Sequence, residues 1–129
     1  MPKHVFTYGS LMFPQVWQRV VSGHYLNTAA TLAGYARFAL KDDTYPGMVA
    51  AQDQMVTGIV YRDVGTADLH ALDMFEGSEY RRCSVQVDTG VSGKILAETY
   101  LFLPQHRLSN QPWNPETFAL DRFLSNYCP

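Results

Sequence analysis

Two short stretches carry residue types suited to chemistry on a small polar molecule: Tyr8–Gly9–Ser10–Leu11 and Leu72–Asp73–Met74–Phe75–Glu76–Gly77. In the first, a strand pattern ends in Gly-Ser and a helix opens shortly after, at Phe13–Pro14. Backbone N–H groups left free at such a junction form a concave anion site, and the Ser10 hydroxyl adds a donor. A carboxylate or small phosphate suits that site, although the same residues also make an ordinary strand-to-helix turn. The second stretch places Glu76 at the end of an apolar-faced helix. There the carboxylate meets the negative end of the helix dipole beside Phe75, and both neighbours disfavour its charged form. Lys or Arg is what a helix C-terminus favours, so the acid is locally misplaced, and local rules tend to break at functional sites. The alternative is a solvated surface carboxylate, which is the reading given to nearby Glu79.

Around these two stretches lie groups with less specific signals. Tyr8 and Tyr80 could donate hydrogen bonds into a pocket, or serve as core aromatics with a hydrated tip. Arg37 reads as an exposed strand residue that could pair with a carboxylate. Asp73, one turn before Glu76, is expected to brace the helix end rather than react.

The elements that must position these groups follow from periodicity. Lys3–Tyr8 alternates as a strand, and Val16/Val20 with Trp17/Val21 mark one face of a helix that Ser22–Gly23 stops. Leu26 to Lys41 is strand-like and kinked or split at Gly34. Asp42–Asp43 reads as a turn, and Tyr45–Pro46–Gly47 reads as a loop because Pro and Gly together do not continue a central strand. Met48–Ala51 and Met55–Arg62 suggest a hairpin with Gln52–Asp53–Gln54 at its tip. Thr66 is expected to cap a helix with Leu69, Leu72 and Phe75 inward, ending at Gly77. Tyr80–Asp88 and Ile95–Leu103 are expected strands joined by a Thr89–Gly93 turn. Gln105–Trp113 reads as a polar loop, and Asn114–Pro115 opens a closing helix with Phe118, Phe123 and Leu124 on its apolar face.

This order is strand-rich without βαβ alternation, which predicts an α+β fold: a small mixed β-barrel-like sheet with peripheral helices. The 129 residues fit a single domain over positions 1–129. Gly9 has no companion glycines at dinucleotide spacing, so no cofactor is expected. With 47% hydrophobic and 17% charged residues and a net charge of −2, the chain has the composition of a cored protein. It lacks the basic face of a nucleic-acid binder. No apolar run reaches membrane-spanning length, and Met1–Pro2–Lys3–His4 leads straight into a strand without a signal core. A cytoplasmic location is expected on that basis. The four histidines are scattered, so no metal is expected. Cys83 reads as a small core residue and Cys128 as a free thiol at a frayed terminus.

Taken together and in order, Tyr8-Gly9-Ser10-Leu11, Tyr45-Pro46-Gly47, Leu72-Asp73 with Glu76-Gly77, and Tyr80 with Arg82 resemble the gamma-glutamylcyclotransferase-like family. The likeness is greatest to its gamma-glutamylamine cyclotransferase and plant avirulence-induced-gene-like branch, and it runs from the start of the chain through Tyr100. The resemblance implies a closed or nearly closed β-barrel with a cavity at one end. It implies that Tyr8, Gly9, Ser10 and Leu11 hold the α-carboxylate of a γ-glutamyl group, that Glu76 is the acid/base, and that Tyr80 stands at the substrate. The implied reaction is attack of the substrate's own α-amine on its γ-amide, which closes 5-oxoproline and expels an amine or amino acid. That chemistry needs no side-chain nucleophile. It needs one group to move a proton from an ammonium of pKa about 8 to the leaving nitrogen. Met12–Phe13 stands where the glutathione-specific branch has Ile-Trp, which points to a γ-glutamylamine or another γ-glutamyl conjugate rather than glutathione. The small-molecule substrate is the partner expected; nucleic acid and membrane are not, and oligomeric state is left open. Two other readings stay open here: a non-catalytic module that senses a small carboxylate, and a different γ-glutamyl acyl transfer.

Overall fold

A computed structural model describes residues 2–90, 93–118 and 120–127. The alternation at the start of the chain gives β1 (Lys3–Thr7), whose successive side chains serve two different apolar clusters. Val5 packs under the helices with Val16, Trp17, Val64, Leu69 and Leu72, whereas Phe6 packs with Leu32, Met48, Val60 and Val87. The period of two along a strand sorts side chains in this way, so one cluster fills the space beneath the helices and the other lies across the strands. Full burial of each such aliphatic residue is worth about 1.5–3 kcal/mol.

A 3-10 turn over Ser10–Met12 leads from β1 into α1 (Pro14–Val20), with Pro14 at its first position, where a missing N–H costs nothing. β2 (Asn27–Leu40) is a single strand bent at Gly34, which takes φ 86°. β3 (Pro46–Val64) overturns two sequence expectations. Pro46 and Gly47 do not form a loop but begin the strand, paired with Ala39 and Phe38. Proline is tolerated at the first residue of a strand because the ladder asks least of its nitrogen there. The expected hairpin tip at Gln52–Asp53–Gln54 does not reverse the chain either. Ala33 pairs with Met55 and Tyr35 with Ala50, so residues 51–54 bulge out opposite Gly34, with Asp53 at φ 64°. The hairpin is instead made by β2 and β3.

α2 (Thr66–Glu76) starts with Gly65 in the cap position, so Thr66 is the first helical residue rather than the cap, and the helix ends at Gly77 as expected. β4 (Tyr80–Asp88) and β5 (Lys94–Phe102) pair along their whole length. The expected polar loop after β5 contains a 3-10 turn at Gln105–Arg107 and a strand, β6 (Leu108–Pro112), which pairs with β2 at Phe38 and Leu40. Its five residues, LSNQP, carry no strand signature, so tertiary pairing alone makes them a strand. Asn114 caps the next 3-10 turn by accepting the Glu116 N–H at 2.9 Å, and α3 (Leu120–Tyr127) follows. The expectation for Cys128 falls outside the described residues.

The sheet runs β3-β1-β5-β4-β2-β6, and the further β3–β2 pairing closes its first five strands into a barrel. β1 is parallel to β5, and the other pairings are antiparallel, so the sheet is mixed. This is the α+β barrel with peripheral helices that the element order predicted. The register brings the end of β1, the start of β3, the end of α2 and the start of β4 to one end of the barrel.

Candidate active site

That end of the barrel holds a cavity of about 210 Å³. Tyr8, Gly9, Ser10, Leu11, Glu76 and Tyr80 all line it, so the two chemistry-bearing stretches share one wall space despite their separation in sequence. Among the described residues, no group of three or more His, Cys, Asp and Glu could hold a metal ion. No helix is long and apolar enough to cross a membrane.

The loop Gly9–Leu11 is shaped by what flanks it. Met12 and Phe13 direct their N–H groups to the carbonyls of Gly9 and Ser10, at 3.0 and 3.1 Å. The N–H groups of Gly9, Ser10 and Leu11 have no backbone acceptor among the described residues, as expected at the start of a helical turn. Ser10 is buried at 8% exposure. Gly9 lies so close to Pro46 that an added Cβ would come within 2.9 Å of two ring carbons. The glycine is required by this packing against β3, not by room for an approaching ligand alone.

Arg37 holds the loop from beneath. Its guanidinium donates to the Tyr8 carbonyl at 2.7 Å and to the Thr57 carbonyl at 3.1 Å, with its face 5.2 Å from the Trp113 ring centre. The expected exposed strand residue is therefore a partly buried anchor, and burial lowers its pKa. No ion pair with a carboxylate is found for it among the described residues.

Tyr8 and Tyr80 face the cavity, yet their hydroxyls donate elsewhere. Tyr8 gives its proton to the Tyr100 carbonyl at 2.6 Å, and Tyr80 to the Pro46 carbonyl at 2.8 Å. Burial above all keeps both phenols neutral, with pKa values pushed well up. Tyr80 thus fixes Pro46 against Gly9, and each phenol offers the cavity a ring and an acceptor oxygen.

Glu76 sits partly buried in the cavity wall, and its pKa is pushed up to about 8, first by burial and then by the charge of Asp73. Asp73 does brace the helix end. Its Oδ1 accepts from the Tyr100 hydroxyl at 2.6 Å and from Arg82 Nε at 2.9 Å, joining α2 to β5 and β4. Arg82 also reaches Glu98 at 2.8 Å, and Glu98 accepts the Ser84 hydroxyl.

Glu79 is not the solvated carboxylate expected. It lines the cavity and accepts the Arg107 guanidinium on both oxygens, and Arg107 pairs with Asp43 as well. Sequence reasoning missed Arg107, Asp43, Tyr45 and Tyr100 as site residues. No local pattern marks them, because barrel closure is what brings Tyr45 and Tyr100 to the cavity and Arg107 and Asp43 to Glu79 behind its wall.

A five-strand barrel with three helices and an end cavity is the gamma-glutamylcyclotransferase-like α+β fold. The sequence profile of the family described as "Gamma-glutamyl cyclotransferase, AIG2-like" matches residues 5–117, and the chain belongs to that family. Among its relatives, Protein AIG2 C of Arabidopsis thaliana is 35% identical over 101 residues. That alignment takes in 78% of this chain but only 61% of the relative, so the chain spans about three fifths of that protein. An Arabidopsis thaliana protein solved in solution is 29% identical, with a TM-score of 0.75, over 97% of this chain and 87% of that one. A solved gamma-glutamyl cyclotransferase shares the fold at 20% identity, with a TM-score of 0.67, over 79% of this chain and 67% of that one.

Proposed function

We propose that the chain is a γ-glutamyl cyclotransferase, with Glu76 as its acid/base and the Gly9–Leu11 N–H groups as the seat of the substrate α-carboxylate. The observation that supports this most is the pairing, in one cavity, of three backbone N–H groups that have no backbone acceptor among the described residues with a carboxyl group whose pKa is raised to about 8. A γ-glutamyl group carries an ammonium of pKa about 8, so proton transfer between the two is close to balanced. Glu76 takes a proton from the ammonium, and the freed amine attacks the γ-carbonyl. As the new C–N bond closes the five-membered ring, the old one breaks and Glu76 delivers the proton to the leaving nitrogen. The ring nitrogen sheds two protons overall and the leaving amine, once protonated, has gained two, so the proton count closes. Holding the glutamyl end still supplies the entropic part of the acceleration.

The rim favours an amine as the leaving group. Glu79 lines the cavity and shares the Arg107 guanidinium with Asp43, so one cation answers two carboxylates there. A leaving group with its own carboxylate is repelled there, whereas an amine is not.

Turnover of a panel of γ-glutamyl compounds, scored for 5-oxoproline, tests the reading. Release from γ-glutamylamines, abolished in Glu76→Gln, is the expected result. Saturable binding of a small carboxylate with no turnover of any γ-glutamyl compound would instead make the barrel a binding module.

A further inference from the structure

Asp73 and Glu76 stand three residues apart at the end of α2, on one face of the helix. Glu76 lines the cavity, whereas Asp73 points to the barrel wall, where Tyr100 and Arg82 both donate to the same oxygen, Oδ1. Arg82 is shared with Glu98, which is 7% exposed and also accepts from Ser84. The cluster therefore holds two carboxylates on one guanidinium. An asparagine could accept the same two hydrogen bonds without setting a second negative charge beside Glu76. The acid adds to that bracing an ion pair with Arg82 and a charge beside Glu76.

We propose that Asp73, clamped by Tyr100 and Arg82, is a positioning residue whose fixed negative charge keeps on Glu76 the proton destined for the leaving nitrogen. This rests on the reading of Glu76 as the acid/base. Among the charged groups near Glu76, Asp73 is the one whose charge acts on it, after burial itself. Tyr8 at the end of β1, Tyr80 on β4 and Tyr100 on β5 are phenols that burial keeps neutral. Glu79, between α2 and β4, is paired to Arg107, which also holds Asp43 beside Tyr45. On α3, Phe123 faces the cavity while Asp121 and Arg122 are exposed.

The test is a carboxyl-carbon NMR titration of Glu76 in the whole chain, read beside the pH dependence of kcat/KM. Asp73→Asn keeps the acceptor and removes the charge. It should lower the Glu76 midpoint by about one pH unit and carry the acidic limb of the rate profile with it. Arg82→Gln removes the compensating cation and should move both upward. That upward shift decides the matter if Asp73→Asn does not fold. A midpoint that stays put in both variants, or moves the same way in both, overturns the proposal. Because the titration needs no turnover, a chain that releases no 5-oxoproline would sink the acid/base reading while the Asp73 shift is still measured.

Discussion

A carboxyl group held protonated by its surroundings costs the fold stability wherever its unfolded counterpart would ionise. Glu76 has an ordinary value of 4.5 and a folded value of about 8. Between those two pH values the folded chain binds the proton and the unfolded chain does not, so stability falls as pH rises through that window and levels off above it. The slope reaches about 1.4 kcal/mol per pH unit when Glu76 alone titrates. Glu76→Gln resembles the protonated acid at all pH values. It should match wild type near pH 4, melt at a higher temperature than wild type at pH 8, and lose roughly 100- to 10,000-fold in 5-oxoproline release. Thermal melts at the two pH values, read beside turnover, check both halves. A variant no more stable at pH 8 would contradict the strained environment assigned to Glu76. Gly9 makes the complementary case, since its constraint is steric. Gly9→Ala should push Pro46 or the loop aside, cost about 1–3 kcal/mol and weaken substrate binding, as unfolding and KM would report.

At the scale of elements, the loop proposed to seat the substrate carboxylate depends on strands that do not contain it. Arg37 on β2 grips the carbonyl preceding Gly9, and Tyr80 on β4 fixes the proline that packs on it. Arg37→Met should therefore raise KM several-fold while changing kcat less, with Arg37→Lys recovering part of the loss through one remaining donor. An unchanged KM would show that the loop holds its shape unaided. Strands such as β4 were legible because one face is buried and its side chains alternate strictly. The helix ends were legible from Pro14 and Gly77. The β3 strand was misread at both Pro46 and residues 51–54, since a proline at a strand start and a bulge look, locally, like a loop and a turn. β6 gave no signal, because its pairing with β2 rather than its composition makes it a strand. The same limit applied to the site. Glu76 breaks a local rule at its helix end and could be singled out, and Gly9–Ser10 stood out only as a strand-to-helix junction, whereas Arg37 and Glu79 look like surface residues until the barrel closes around them.

At the scale of the whole molecule, the segment after β5 is tied to the cavity wall by Arg107, which grips Glu79, as well as by Phe123, which lines the cavity. Arg107, following β5, spans from Glu79 beside α2 to Asp43 before β3, so it joins parts of the chain 28 and 64 residues away. The pair side chains are 17–39% exposed, so screening by solvent keeps the stabilisation modest, roughly 1 kcal/mol or less for each pair. Their larger effect is on the field at the rim. Arg107→Gln would remove the guanidinium that Glu79, in the cavity wall, shares with Asp43, making that rim more negative by one charge. A substrate whose leaving group bears a carboxylate should then bind several-fold more weakly, and one whose leaving group is cationic should bind as well as before or better. Both differences should shrink between low salt and about 1 M, where the screening length falls to about 3 Å. KM measured for the two substrate types at both salt concentrations makes the comparison. If the two types respond alike, or if salt leaves the difference intact, the rim acts through shape rather than charge and the proposed preference for an amine leaving group has no electrostatic basis.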